Sequence, residues 1–308
     1  MNLLLATLLA TSVNGGAIFK GQLTVGVNTS GAVSSTAPAE GGGGGGANTL
    51  ELATLRYNAD DIASLADGDP VLSWPSTGTY TDATATLVQA TGTAQPAFDN
   101  QDATMGNTVY FVPAGSASLW MKTGGLAAPI AYPAIICTVY KFDSSNPASP
   151  GNQQHLWEAF AQPGATANQH AKIHSTRAFD LDNPIVNAQR SHHRTWTSHC
   201  AELRDGAPSK LARNGELVAA GTFATGQDQI IDLSLGGIHN ALTYAFFYRF
   251  IGKIADVAVW ADIDTLGVNL ADTSRDFAAA HGLARASPHP DEPYTYNTWS
   301  ASTTCDLT

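Results

Sequence analysis

The densest grouping of chemically capable side chains is the run Ser191-His-His-Arg-Thr-Trp-Thr-Ser-His-Cys200. Imidazoles hold transition metals and move protons near neutral pH. On a strand, His193, Thr195, Thr197 and His199 would share one face, and His192, Arg194, Trp196, Ser198 and Cys200 the other. His193 and His199 would then stand roughly 20 Å apart at about 3.3 Å per residue, too far to share one ion. The run reads instead as a polar-aromatic strand able to meet a sugar or a protein partner. Sugar binding needs an aromatic platform with hydrogen-bonding groups around it. Trp120, Trp157, Trp196 and Trp260 are available. Trp74 and Trp260 have apolar neighbours and read as core, whereas Trp157 and Trp196 have polar neighbours and are the better platforms. Trp157, His193, Trp196 and His199 are therefore the candidate glycan or partner surface.

Catalysis is not expected, and no catalytic residue is assigned. A retaining glycosidase sets two carboxyl groups about 5 Å apart. Glu158, in Leu156-Trp-Glu-Ala-Phe160, has no acidic partner near it in sequence and reads as a strand residue. A nucleophile elbow, a P-loop and a His-Glu-x-x-His motif are all missing. No cofactor is expected unless it is calcium, for which Asp60, Asp61, Asp67 and Asp69 are the candidate ligands. Asp67 and Asp69 have a competing role as turn formers in Asp67-Gly-Asp-Pro70, where Gly68 can take positive φ. The cysteines Cys137, Cys200 and Cys305 are widely spaced and form no zinc pattern. Their odd number argues against a disulfide framework, and Cys137, in an apolar strand, reads as a small buried hydrophobe.

The positioning elements are mostly strands. Candidates are Thr108–Val112, Ile135–Phe142, His155–Phe160, Thr195–His199, Lys210–Val218, Ile230–Leu235, Thr243–Gly252 and Lys253–Trp260. Asn214-Gly215, between two strand-like runs, predicts a hairpin with a type I′ turn. A helix is predicted over Asp272–His281, stopping at Gly282. Many strands separated by turn signals, and no 20–50-residue repeat, describe an all-β sandwich.

The chain has 308 residues, enough for one large domain with appendages. Residues 1–46 read as an N-terminal arm that closes with six glycines, Gly41–Gly46, a linker composition lacking the Lys-Ser/Thr of a nucleotide loop. Residues 47–283 form the sandwich, and 284–308 a tail extended by Pro288, Pro290 and Pro293. Leu3–Ala10 has the apolar character of a signal core, but no Lys or Arg precedes Lys20, so an unprocessed N-terminus is expected. No apolar stretch reaches the roughly 18 residues of a membrane span. Charged residues make up 13% of the chain and the net charge is −11. That balance disfavours nucleic acid, which needs a basic patch. So few charges suit a chain packed against other subunits.

Four segments resemble the concanavalin A-like (laminin-G-like) jelly-roll superfamily. They are Leu55-Arg-Tyr-Asn-Ala-Asp-Asp with Asp67–Trp74, the Arg213–Val218 hairpin, Leu233-Ser-Leu-Gly-Gly237, and Phe250–Trp260 with the helix ending at Leu283. The resemblance covers roughly residues 50–283 and implies a jelly-roll sandwich. Glucanase relatives of this fold carry Glu-x-Asp-x-x-Glu on one strand. None of the six glutamates (Glu40, Glu51, Glu158, Glu202, Glu216, Glu292) starts that pattern. Such modules on a Gly-rich arm look like decoration, fibre or tail proteins of tailed bacteriophages. The expectation is a non-enzymatic virion structural protein, homo-oligomeric and partnered by capsid or tail subunits. Its anchoring residues would be Leu4, Leu8, Ile18 and Phe19 in the arm, and Tyr294, Tyr296 and Trp299 in the tail. The alternative is a carbohydrate-binding adhesion module attaching to host-surface glycans.

Overall fold

The computed structural model describes residues 49–111, 119–143, 153–160, 169–174, 178–181, 186–190, 195–204, 208–222, 229–237 and 250–283, with two short strands before them. The anchoring residues Leu4, Leu8, Ile18, Phe19, Tyr294, Tyr296 and Trp299 lie outside the described residues. So do Gly41–Gly46, His193, residues 243–249 of the predicted strand that begins at Thr243, and the 284–308 tail. The chain divides into two units, Met1–Gly46 and Ala47–Thr308. In the first, β1 (Gly26–Val27) pairs antiparallel with β2 (Val33–Ser34).

The second unit opens with β3 (Leu55–Asn58), β4 (Ser73–Trp74), β5 (Leu87–Val88), β6 (Ala97–Asp102), β7 (Gly106–Phe111), β8 (Met121–Lys122) and β9 (Ile130–Ala131). Then come β10 (Ala134–Phe142), β11 (Gln153–Phe160), β12 (Gln169–His174), β13 (Ala178–Leu181) and β14 (Val186–Arg190). They are followed by β15 (Thr197–Leu203), β16 (Pro208–Arg213), β17 (Glu216–Thr222), β18 (Gln229–Ile230), β19 (Asp232–Leu235) and β20 (Gly252–Trp260). Helices α1 (Ile263–Leu266) and α2 (Leu270–Ala280) end the described chain.

Two eight-stranded antiparallel sheets form the sandwich. One runs β17-β16-β15-β10-β20-β7-β6, with β3 also paired to β20. The other runs β14-β13-β12-β11-β19-β8-β5-β4. The all-β class and the closing helix expected from the sequence are thus both present. Among the described residues no helix is long and apolar enough to cross a membrane.

The burial pattern of β10 explains its composition. Ala134, Ile136, Tyr140 and Phe142 join the core between the sheets. Ile135, Cys137 and Val139 point the other way into a second apolar cluster. β20 does the same, with Ile254, Val257 and Val259 inward and Ala255, Ala258 and Trp260 outward. An antiparallel sheet usually keeps one face wet and reads as an alternation. Here both faces are covered, so these strands read as nearly continuous apolar runs. The outer cover is α2, whose Leu270, Thr273, Ser274, Phe277 and Ala278 lie at helical spacing and are buried. Asn269 caps it by accepting from the Asp272 N–H, and Gly282, at φ 64°, follows its last turn. Phe277 meets the Trp260 ring edge-on, with centroids 6.1 Å apart.

The hairpin joining β16 to β17 turns through Asn214 at φ 47° and Gly215 at φ 88°, the doubly positive geometry of a type I′ turn. Gly68 likewise takes φ 83° in the Asp67–Pro70 turn. Trp74 and Trp260 are fully buried, as their neighbours suggested.

The cysteines require a correction. Cys137 is not a free thiol: it forms a disulfide with Cys200. Register places the two directly opposite each other on β10 and β15, with Cα atoms 4.0 Å apart. Sequence spacing does not reveal strand register, so an odd cysteine count hid a pairing that the sheet imposes.

Two outcomes test this architecture. Peptide mapping without reductant should recover Cys137 and Cys200 as one linked pair. Replacing both by alanine should lower stability by about 2–4 kcal/mol, and two freely alkylated thiols would contradict the pairing. Phe277→Ala should cost about 3–5 kcal/mol in urea unfolding. A loss below about 1 kcal/mol would mean that α2 does not roof the sheet.

Candidate functional site

The β6–β7 hairpin ends in a carboxylate hub. Asp102, the last residue of β6, has a side chain only 3% exposed. Its Oδ1 accepts the backbone N–H groups of Thr104 (3.0 Å) and Met105 (3.2 Å) and the Trp196 indole N–H (2.9 Å). Its Oδ2 accepts from Lys253 Nζ at 3.1 Å and Lys141 Nζ at 3.4 Å. Lys253 also pairs with Asp99 Oδ2 at 2.5 Å. Register makes this arrangement necessary. Lys141 and Lys253 face each other across β10 and β20, and like charges in direct opposition destabilise a sheet unless an anion lies between them.

Burial alone would raise the Asp102 pKa, but these N–H donors outweigh it and hold the carboxyl well below its ordinary value. Burial would lower the Lys253 pKa, yet Asp99 and Asp102 raise it above the usual lysine value. Both groups are therefore charged at neutral pH.

Beside the hub lies a cleft of about 300 Å³ lined by Tyr110, Lys141, Phe142, Asp143, Gly252 and Lys253. The Tyr110 hydroxyl donates to Asp143 Oδ2 at 3.3 Å. Burial first, then the Asp143 charge, raise the pKa of that phenol, which stays protonated. Lys253 Nζ sits 5.6 Å from the centroid of the Tyr110 ring, a cation–π contact. At Gly252 a Cβ would come within 2.3 Å of the Lys141 carbonyl oxygen, so only glycine lets the two strands approach this closely. The helix is too short to cover the whole of β20. The 11 residues of α2 span about 16 Å, whereas the nine residues of β20 span about 30 Å.

The residues singled out from the sequence are placed differently. Trp157 belongs to the core between the sheets. Trp196 is 8% exposed, part of the outer apolar cluster, with its indole N–H spent on Asp102. His199 is buried with its ring stacked on Tyr140 and its Nδ1 3.0 Å from the Tyr140 hydroxyl. None of these three offers an open ring face to a sugar. The physical reason is the two-sided cover of the first sheet and the inward row of the second: polar neighbours mark a wet face only where one face is wet. Glu158 is also buried, opposite Ser234 on β19.

The calcium candidates are dispersed among local roles. Asp60 accepts from Asn107 (2.8 Å), Asp61 from Thr77 (3.0 Å), Asp69 from the Ala66 N–H (2.8 Å) and Asp67 from the Asn100 N–H (3.4 Å). Among the described residues no three His, Cys, Asp or Glu side chains converge as a metal site would require. Sequence reading passed over Asp102, Tyr110, Lys141 and Lys253. The available signal was one lysine in each of two largely apolar strands, Tyr140-Lys-Phe142 and Gly252-Lys-Ile254.

No protein-family model and no curated protein sequence matches the chain. Solved structures similar to it include Trypanosoma rangeli sialidase in complex with the inhibitor DANA, at 10% identity and TM-score 0.45, covering 73% of this chain and 32% of that one. Another is domain 4 of AbnA, a GH43 extracellular arabinanase from Geobacillus stearothermophilus, in complex with arabinotriose, at 12% identity and TM-score 0.45, covering 73% and 98%. A third is the CBM40 of the Ruminococcus gnavus IT-sialidase, at 16% identity and TM-score 0.35, covering 51% and 96%. The chain spans about a third of the length of the sialidase it matches. At these identities the likeness concerns the sandwich and carries no activity.

The hub makes a pH prediction. The Asp102 carboxyl titrates below its unfolded value of about 3.9. Its stabilising contribution is complete above that value and is lost as pH falls through the depressed folded value. Asp102→Asn should lower stability at pH 7 by about 2–3 kcal/mol. It should also flatten the loss of stability on acidification from pH about 4 downward. Identical acid slopes for both proteins in urea unfolding would contradict the hub.

Proposed function

We propose that this chain is a non-enzymatic adhesive protein, a rigid β-sandwich carried on an N-terminal arm and serving as a structural component of a tailed-bacteriophage particle. The observation supporting this reading is the division of the chain at Gly46, where the six-glycine run ends. Beyond that point the sandwich seals itself. Thr49 donates to Asp276 at 2.9 Å and its carbonyl accepts from the Trp260 indole at 2.6 Å. The described core begins at Ala53, beyond the glycine run.

Several carboxylates are engaged in ion pairs. Glu202 pairs with Arg204 and Lys210, Asp264 with Arg204, and Asp256 with Arg56 and His281. Homo-oligomerisation and contacts with capsid or tail subunits belong to the same proposal. Attachment to host-surface glycans is the second reading. It is favoured by the cleft at Tyr110, which joins charged groups to an apolar wall, and not by Trp157 and Trp196, which are buried.

Particles assembled in cells that supply either the full chain or residues 47–308 test the anchor. The full chain should co-purify with particles. The truncated form should melt within about 2 °C of it yet be missing from particles. Equal incorporation of the two forms, or exclusion of both, would overturn the proposal.

A further inference from the structure

We propose that the cleft between Tyr110, Asp143 and Lys253 is a binding site for a neutral, polyhydroxylated ligand, a saccharide. The inference deepens the glycan reading and stands apart from anchoring by the arm. The volume, about 300 Å³, lies at the lower end of the range in which proteins hold small ligands.

The polar groups set the ligand class. A hydroxyl both donates and accepts, and here donors and acceptors stand side by side. Lys253 commits two of its three N–H groups to Asp99 and Asp102, and Lys141 commits one to Asp102. The remaining ammonium protons stand beside the Asp143 carboxylate and the Tyr110 hydroxyl, while Tyr110 and Phe142 supply apolar wall. The balance and the placement of charge together argue against ionic ligands. Two lysines stand against three carboxylates, Asp99, Asp102 and Asp143, so an anion meets no excess of positive charge. A cation would meet the two ammonium groups directly.

The site is built in advance. The buried Asp102 fixes both lysines, whose rotamer freedom is therefore already given up before a ligand arrives. Gly252 lets β20 lie close against the Lys141 backbone, which fixes the two strands that carry the lysines.

The full-length chain applied to an array of immobilised neutral and sialylated glycans tests the site. Retention on neutral glycans is expected. Tyr110→Phe, which keeps the ring under Lys253, and Asp143→Asn should each weaken it about tenfold. Lys122→Ala, on the other sheet, should leave it unchanged, and all three variants should melt within about 2 °C of the wild type. The proposal is overturned by no retention on any glycan, by retention confined to sialylated glycans, or by undiminished retention in both cleft variants.

Discussion

The structure depends on burying both faces of the β10–β20 pair. Between the sheets these strands meet Trp74, Phe111, Trp157 and Leu235. On the far side they meet α2 through Trp260 and Phe277. A strand in that position has no wet face on which to leave a charge. Each charged residue on it must therefore find a partner, because an unpaired buried charge costs several kcal/mol. Asp256 on β20 shows the consequence: its Oδ2 takes Arg56 at 2.9 Å and His281 at 3.0 Å, joining β3 and the end of α2 to the central strand. The Cys137–Cys200 bridge lies in the same outer layer and ties β10 to β15.

The same constraint produces the cleft. Lys141 and Lys253 face each other and are reconciled by Asp102. The result is a cluster of fixed charges with spare hydrogen-bonding capacity, open on one side. A structural need has thus created a feature with the chemistry of a binding site. An adhesive protein uses such a rigid feature without further machinery.

The sequence made visible those features that depend on local chemistry. Asn214-Gly215 announced a turn that only positive φ at both positions allows. Gly282 marked the end of the helix, whereas its start at Leu270, behind the Asn269 cap, lies two residues before the Asp272 expected from the sequence. Trp74 and Trp260 revealed their burial through apolar neighbours. What escaped was set by register and by layers. Polar neighbours such as Glu158, Arg194 and Ser198 point to a surface for Trp157, Trp196 and His199, yet Glu158 and Ser198 are themselves buried. The pairing of Cys137 with Cys200, and the convergence of Asp102 on two lysines distant in sequence, arise only when β10 acquires its neighbours. Asp60, Asp61, Asp67 and Asp69 clustered in sequence, but each accepts from a different partner, Asn107, Thr77, the Asn100 N–H and the Ala66 N–H.

Native-state hydrogen exchange reads the double-sided burial of β10 and β20 strand by strand. Amides in 134–142 and 252–260 should exchange slowest and only through global unfolding, while the edge strands 97–102 and 216–222 exchange by local opening. If the two central strands exchange as fast as the edges, double-sided burial of β10 and β20 is not what holds this fold.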